Sequence, residues 1–236
     1  MKQGYASKYF SVLGDSISTL EGWSRPEYAA FYDVGHKLEA RIYSPSDTWW
    51  GELISSLGGK LLQNNSISGS TASFRPGYET ESYGCSRERT SSLGDGDVYP
   101  DVIMILIGTN DWGMGVDVYP TDGDMSDISV FSCAYNTMLK RLKDNYPKAE
   151  LWCFTLPVSC FLRSDEFVFP YLYGGIHISE YCEAIRKIAK ENGARVIDLY
   201  NPSEPYDTID GFHPTREGMH TLFLHAENSL AEEGII

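Results

Sequence analysis

The sequence predicts an α/β fold built on a five-stranded parallel sheet, and three observations lead to this prediction. Strand-like apolar runs alternate along the chain with segments whose apolar residues recur at helical spacing. Such alternation produces right-handed crossovers and a parallel sheet. The run at 101–107 is continuously apolar, which is typical of a strand covered by helices on both faces. Because no repeat or composition shift marks a boundary, we expect one domain over residues 1–236.

The predicted elements follow from local pattern and from the residues that end each segment. Strands are expected at 9–14, 60–65, 101–107, 150–156 and 194–199, and helices at about 49–57, 86–93, 126–145, 178–191 and 214–231. Pro214 suits the first turn of the last helix, where a missing N–H does no harm. Long loops are expected at about 20–46, 71–85, 111–125 and 157–174. The aromatic residues of the first and last of these loops fit either a substrate-binding surface or a small hydrophobic cluster beneath the loops.

Composition narrows the range of partners. The formal net charge of −14 argues against nucleic acids, anionic membranes and polyanionic substrates. The five cysteines are scattered and predict neither a disulfide framework nor a zinc site, and Cys133, Cys153 and Cys182 fall inside apolar patterns. Strand-like sequence begins within about ten residues of Met1, so no signal peptide is expected and a cytoplasmic location is the default. A secreted protein whose signal peptide has been removed would show the same pattern.

Candidate site residues lie in the segments that follow four of the five predicted strands. Ser16 follows the first strand, Gly69 the second and Asn110 the third, while Asp210 and His213 follow the fifth. In an open parallel sheet the carboxyl ends of the strands meet at one edge, where ligands bind. We therefore expect these five residues to line one crevice.

The residue types in this crevice match those of acyl-transfer chemistry. A serine hydroxyl needs a base, and Asp210 and His213 are spaced so that the carboxylate can orient the imidazole toward Ser16. The Asn110 amide and the backbone N–H groups of Gly69 and Ser16 are suited to an oxyanion hole. Each residue taken singly also fits a turn or helix cap, so only their convergence in one crevice predicts a catalytic site.

Other polar residues favour structural roles. Asp15 and Asp111 are predicted to make turn hydrogen bonds. His36, His177, His220 and His225 favour surface or cap positions, because no matching ligand spacing accompanies them. No cofactor or metal site is therefore expected.

Four segments resemble, in order, the four blocks of the SGNH (GDSL-type) hydrolases: Gly14-Asp15-Ser16-Ile17, Asn65-Ser66-Ile67-Ser68-Gly69, Gly108-Thr109-Asn110-Asp111 and Asp210-Gly211-Phe212-His213-Pro214. The resemblance implies a three-layer α/β/α, flavodoxin-like fold. It also implies a nucleophile at Ser16, oxyanion donors at Gly69 and Asn110, and a triad completed by Asp210 and His213. Ile17 departs from the leucine that is usual in the family.

These observations predict a serine esterase that hydrolyses a small acyl ester through an acyl-enzyme on Ser16, with an acetylated carbohydrate as one candidate substrate. A lipase-like or thioesterase-like acyl hydrolase is the nearest alternative. Two alternatives come from other classes: a flavodoxin-like FMN-binding protein and a non-catalytic carbohydrate-binding domain. Against FMN, the segment after the first strand lacks glycine and places Glu21 where a phosphate would bind.

Overall fold

The centre of the fold is a five-stranded parallel sheet. The computed structural model describes residues 4–77, 83–121 and 123–236. Its strands are β1 (Tyr9–Gly14), β2 (Lys60–Asn64), β3 (Val102–Leu106), β4 (Glu150–Phe154), β5 (Ser159–Cys160), β6 (Arg195–Ile197) and β7 (Tyr206–Asp207). The sheet has the order β2-β1-β3-β4-β6 with every neighbouring pair parallel, and β5 and β7 form a separate parallel pair. The chain reverses its winding direction at β1 and β3, which is where open α/β sheets bind ligands.

Helices cover both faces of the sheet. They are α1 (Val34–Ala40), α2 (Trp49–Ser56), α3 (Arg87–Ser91), α4 (Thr109–Gly113), α5 (Phe131–Asn145), α6 (Ile178–Glu191) and α7 (Arg216–Glu232). Helices α2 and α7 pack together in one hydrophobic core, and α5 packs against α3 and α6 in the other. The predicted three-layer α/β/α architecture is confirmed.

The apolar run of β3 shows why a strand between two helical layers lacks alternation. Val102, Met104 and Leu106 belong to the core beneath α2 and α7. Ile103 and Ile105 belong to the opposite core, which contains α5 and α6. Because successive side chains point to opposite faces and both faces are buried, every position of the strand must be apolar.

Helix α5 begins later than the sequence pattern predicts. The pattern predicts a start near Ser126, but the helix starts at Phe131. The N–H of Ser126 donates to the Asp124 carboxylate and the N–H of Ser129 donates to the Asp127 carboxylate. These local side-chain acceptors compete with helical hydrogen bonds and keep residues 124–129 in turns.

Helix α7 begins after Pro214 rather than at it, so the predicted place of the proline in the first helical turn is wrong. Thr215 is the N-cap, and its hydroxyl accepts a hydrogen bond from the Gly218 N–H at 3.1 Å. Pro214 instead forms a bridge with Thr208, and its carbonyl accepts a hydrogen bond from the Tyr32 hydroxyl at 2.8 Å.

The predicted loops contain more structure than their sequences indicate. Helix α1 lies within 20–46 and α4 covers the start of 111–125. Of the predicted loop at 71–85, residues 78–82 lie outside the described residues, as does residue 122 of the next loop. No helix in the described part of the chain is long and apolar enough to cross a lipid bilayer.

Candidate active site

Ser16 lies at the carboxyl edge of the sheet, immediately beyond β1. It opens a single 3₁₀ turn whose N-cap is Asp15, and the Asp15 carboxylate accepts a hydrogen bond from the Ile17 N–H at 3.1 Å. Gly14 makes this turn possible, because a Cβ there would lie 2.7 Å from the Ser18 hydroxyl. The strand therefore ends abruptly and holds the Ser16 hydroxyl at the mouth of the crevice.

His213 and Asp210 reach the same point from the other end of the chain. They lie in the loop between β7 and α7, where Asp210 Oδ1 accepts hydrogen bonds from the N–H groups of Phe212 at 3.0 Å and His213 at 2.8 Å. Asp210 Oδ2 is 2.6 Å from His213 Nδ1, and His213 Nε2 is 2.9 Å from Ser16 Oγ. The structure thus places hydroxyl, imidazole and carboxylate in one hydrogen-bonded chain.

The Asp210 carboxylate stays ionised in this setting. Partial burial raises its pKa, but the hydrogen bond from the His213 imidazole and those from the two backbone N–H groups outweigh burial and lower the pKa to about 2. A carboxylate that is anionic at neutral pH accepts the Nδ1 proton of the imidazole, which leaves Nε2 free to accept a proton from Ser16.

Asn110 lies at the same crevice. It follows β3 in the first turn of α4, and one hydrogen of its side-chain amide is donated to the Ser70 carbonyl at 2.8 Å. An amide group has a second hydrogen, and Asn110 lines the same pocket as Ser16 and His213.

Gly69 lies on the segment that follows β2, next to the residue that Asn110 contacts. Its φ of +78° is unfavourable for side chains other than glycine, and a Cβ there would meet no atom within 4 Å. Among the hydrogen bonds of the described residues, none has the N–H of Gly69 or of Ser16 as its donor. Both donors are therefore available to a ligand, although Gly69 is not among the residues that line the pocket.

A buried guanidinium supports the Gly69 segment from below. Arg89 of α3 is fully buried, and it donates hydrogen bonds to the Ser70 hydroxyl at 2.7 Å, to the Asn65 carbonyl at 2.7 Å and to the Gly14 carbonyl at 2.9 Å. Burial lowers the pKa of Arg89 to about 10. This side chain joins the end of β1 to the loop after β2, and sequence reasoning missed it because an arginine on a short helix resembles a surface residue.

Two buried carboxyl groups lie beneath the site. Burial raises the pKa of Asp15 to about 7 and that of Asp111 to about 6, and the charge of Asp111 adds to the rise at Asp15. The predicted turn bond of Asp15 is present, whereas Asp111 bonds across to the loop after β2 through the N–H groups of Ala72 and Ser73. Asp111 therefore joins the loop after β3 to the loop after β2.

The pocket above these groups has a volume of about 310 Å³. Apolar side chains form most of its wall, and the lining is Ser16, Ile17, Thr109, Asn110, Trp112, Gly113, Met114, Tyr173, Phe212 and His213. Trp112 is buried, while Tyr173, from the loop 157–174, is 57% exposed at the rim. Of the loop aromatics, Tyr173 lines the pocket and Tyr32 is buried in the core.

A serine hydroxyl, an imidazole and a carboxylate in one hydrogen-bonded chain at the switch point of a parallel α/β sheet are typical of hydrolases. The model of the GDSL-like lipase/acylhydrolase family matches residues 8–156, and the chain belongs to this family. The match includes Ser16, Gly69 and Asn110, while Asp210 and His213 lie beyond it and are placed by the geometry. No curated protein matched the sequence.

Solved structures agree with this assignment. A protein described as a GDSL-like lipase from Bacteroides ovatus is 26% identical with a TM-score of 0.72, and the alignment covers 96% of this chain and 99% of that one. A protein described likewise from Bacteroides uniformis is 29% identical with a TM-score of 0.70 and 96% coverage of both chains. A family two carbohydrate esterase from Clostridium thermocellum, solved with cellohexaose, shares the fold at 14% identity, with a TM-score of 0.61 and coverage of 98% of this chain and 66% of that one.

Proposed function

We propose that this protein is a serine esterase that removes a short acyl group from an ester, with an acylated carbohydrate as the leading candidate for the alcohol part. The observation that carries the proposal is the chain of hydrogen bonds from Asp210 through His213 to Ser16, 2.6 Å and 2.9 Å long, at the wall of a pocket. Membership of the GDSL-like lipase/acylhydrolase family supports ester hydrolysis as the reaction.

The geometry supports a two-step reaction. In the first step Ser16 Oγ attacks the ester carbonyl carbon while His213 Nε2 takes the hydroxyl proton, and the same proton then passes to the departing alcohol. In the second step water gives a proton to Nε2 and its oxygen attacks the acyl carbonyl carbon; the bond to Ser16 Oγ then breaks, Nε2 returns the proton to Oγ, and the acid is released. The Ser16 and Gly69 N–H groups and the free Asn110 amide hydrogen would stabilise the oxyanion in both steps.

The size of the pocket favours a short acyl group. Its volume of about 310 Å³ lies at the lower end of the range for small-molecule sites, about 300–1,000 Å³. The exposed ring of Tyr173 at the rim gives a sugar ring a flat apolar surface to stack against. Two structural neighbours are carbohydrate esterases, which share the fold at 14% and 16% identity.

A second candidate, a lipase-like or thioesterase-like hydrolase, is favoured by one observation. The loop 157–174 exposes large apolar side chains at Leu162, Val168 and Leu172, and its Tyr173 lines the pocket. An acyl chain that left the pocket past Tyr173 would find exposed apolar surface on this loop, beginning with the adjacent Leu172.

The flavodoxin-like alternative receives no support from the site. In such a protein the phosphate of FMN would occupy the turn after β1. Here the Asp15 carboxylate accepts the Ile17 N–H of that turn, and the Ser16 hydroxyl lies within hydrogen-bonding distance of His213.

The test is a hydrolysis screen of p-nitrophenyl acetate, butyrate and octanoate together with acetylated monosaccharides. We expect acetate esters to be preferred and Ser16→Ala to lower kcat by about 10³-fold or more. Ser18→Ala is the matched control, because Ser18 is also buried in the same turn but its hydroxyl accepts from the Trp49 indole N–H and does not contact the imidazole. A Ser16→Ala variant that hydrolyses these esters as fast as the parent would overturn the proposal. A preference for octanoate over acetate would favour the second candidate, a lipase-like or thioesterase-like hydrolase.

A further inference from the structure

The imidazole of His213 is covered on one face by the phenyl ring of Phe31. The two rings are nearly parallel, with an interplanar angle of 8° and centroids 3.4 Å apart. The other face of Phe31 stacks on His36, with centroids 4.3 Å apart and an angle of 27°. The loop 20–46 thus contributes the middle ring of a three-ring stack that ends on the imidazole beside Ser16.

Hydrogen bonds fix Phe31 relative to both ends of the site. Its N–H donates to the Thr19 hydroxyl at 2.9 Å, and that hydroxyl donates to the Ser16 carbonyl at 2.8 Å. The next residue, Tyr32, is buried and donates from its hydroxyl to the Pro214 carbonyl at 2.8 Å, directly after His213. The Phe31 backbone is therefore hydrogen-bonded to the serine turn, and the neighbouring Tyr32 is hydrogen-bonded to the histidine loop.

We infer that Phe31 is a positioning residue for the general base, an inference that rests on the proposed esterase function. The hydrogen bonds to Asp210 and Ser16 leave the imidazole free to rock about the axis through its two nitrogens, and a parallel phenyl ring opposes that motion. When Nε2 takes the serine proton the imidazole becomes a cation, and the negative face of the phenyl ring attracts it. Phe31 therefore stabilises the charged form that exists during acyl transfer and excludes water from one face of the ring.

Several other ionisable groups surround the imidazole. Asp210 is bonded to Nδ1 and remains unchanged in a Phe31 variant. Behind Phe31, the Nδ1 of His36 is 3.0 Å from Asp33 Oδ1. The hydroxyls of Tyr32 and Tyr206 bond the carbonyls of Pro214 and Phe212, on either side of His213. Asp15 lies in the serine turn. A Phe31→Leu substitution removes none of these groups, but His36 loses the phenyl ring on which it stacks. Phe31→Tyr keeps an aromatic ring against both histidines, so a change in proton affinity that occurs only in Phe31→Leu is assignable to the lost aromatic face.

The experiment compares Phe31→Leu with the parent and with Phe31→Tyr. Leucine still covers the imidazole but has no π face, whereas tyrosine keeps one. We expect Phe31→Leu to lower kcat/KM about two- to fivefold and to move the acidic limb of the pH–rate profile to lower pH, because a cation–π contact of this kind is worth about that factor. We expect Phe31→Tyr to keep both kcat/KM and the acidic limb of the pH–rate profile close to those of the parent. KM is expected to change less than kcat, since Phe31 does not line the pocket.

Phe223→Leu is the matched control for loss of a phenyl group next to a histidine. Phe223 of α7 is 9% exposed, and its ring lies 5.6 Å from that of His220, away from the pocket. This variant is expected to lower stability without moving the pH–rate profile. A purely structural role for Phe31 would give Phe31→Leu the same behaviour, and that result would overturn the inference.

A second readout separates this inference from the proposed function. The titration of the His213 ring protons can be followed by NMR in the parent, in Phe31→Leu and in Phe31→Tyr, without any substrate. We expect the midpoint to be lower in Phe31→Leu only. If the parent hydrolyses no ester but the His213 midpoint still shifts in Phe31→Leu, the proposed esterase function is refuted and the role of Phe31 at the imidazole stands. If the parent is an active esterase and the His213 midpoint is equal in all three proteins, only the role of Phe31 is refuted.

Discussion

The surroundings of Ser16, His213 and Asp210 at the edge of the sheet determine the different proposed role of each side chain. Asp210 is held as an anion by the imidazole and two N–H groups, which lower its pKa to about 2. His213 has one nitrogen occupied by that carboxylate and the other directed at Ser16. Position and partner, rather than residue type alone, therefore define the proposed nucleophile, base and orienting group.

The carboxylate of Asp210 can be tested by a substitution that keeps its shape. In Asp210→Asn the amide oxygen can still accept the N–H groups of Phe212 and His213, but the amide nitrogen would face His213 Nδ1 with a donor. The imidazole would then carry its proton on Nε2 and could no longer act as the base. We expect kcat to fall about 10²- to 10⁴-fold while the thermal unfolding midpoint stays within a few degrees. Activity within twofold of the parent would remove Asp210 from the mechanism.

At this scale the sequence predicts some residues of the site and misses others. Ser16 and Asn110 stand within a few residues of the ends of strand-like runs, and Asp210 and His213 lie between the last strand-like run and the last helical pattern, so these positions are visible in the sequence. Arg89 and Phe31 carry no such signal. Burial of a guanidinium depends on acceptors from β1 and from the loop after β2, and the stack on His213 joins residues 182 positions apart, so both depend on tertiary packing.

At the level of elements, helix α3 and the loop after β2 form one unit. Arg89 reaches out of α3 and bonds the Ser70 hydroxyl and the Asn65 carbonyl, and Asn110 bonds the Ser70 carbonyl from α4. The loop that presents Gly69 is therefore held from two sides.

Removing the guanidinium should affect folding and activity together. Arg89→Met removes the guanidinium that donates to the Asn65 carbonyl, the Ser70 hydroxyl and the Gly14 carbonyl, and each buried hydrogen bond lost in this way costs about 1–3 kcal/mol. We expect the free energy of unfolding to fall by about 3 kcal/mol or more, and kcat to fall because the Gly69 segment moves. Urea denaturation and ester hydrolysis measure the two effects.

The matched control for this substitution is Arg87→Met. Arg87 lies on the same short helix but is exposed, so we expect a change within about 0.5 kcal/mol and unchanged activity. Equal stability of Arg89→Met and Arg87→Met would show that the buried bonds do not hold this loop.

Element boundaries show where local pattern stops being informative. All five strands of the main sheet are predicted within one or two residues at each end, because buried apolar runs are bounded by glycine or polar residues. The start of α5 and the position of Pro214 are predicted wrongly, because aspartate side chains and a threonine cap decide them. Helix α1 is missed because Val34 and Leu38 are exposed, so the segment shows no buried stripe.

For the whole molecule, the buried Asp15 makes stability depend on pH. Its pKa of about 7 in the folded protein lies above the value near 4 of an unfolded aspartate. Between these values the folded state holds a proton that the unfolded state has lost, so the free energy of unfolding falls as pH rises. One such group gives a slope of up to about 1.4 kcal/mol per pH unit.

Replacing this carboxyl group should remove its part of the pH dependence. Asp15→Asn keeps an oxygen that accepts the Ile17 N–H but has no proton to lose. We expect the stability of Asp15→Asn relative to the parent to increase from pH 4.5 to pH 7.5, as measured by urea denaturation at about one-unit intervals. Asp97→Asn is the control, because Asp97 is exposed. Its free energy of unfolding should vary with pH in the same way as that of the parent. A parallel course for Asp15→Asn as well would show that Asp15 is ionised in the folded protein at all these pH values.

The central claim is that Ser16 is a nucleophile activated by His213, and labelling with a fluorophosphonate followed by peptide mass spectrometry tests it most directly. We expect one adduct per chain, located on Ser16. We expect His213→Ala to be labelled at least about 10²-fold more slowly than the parent. A preparation that hydrolyses esters but carries its adduct on another residue, or none at all, would contradict the claim.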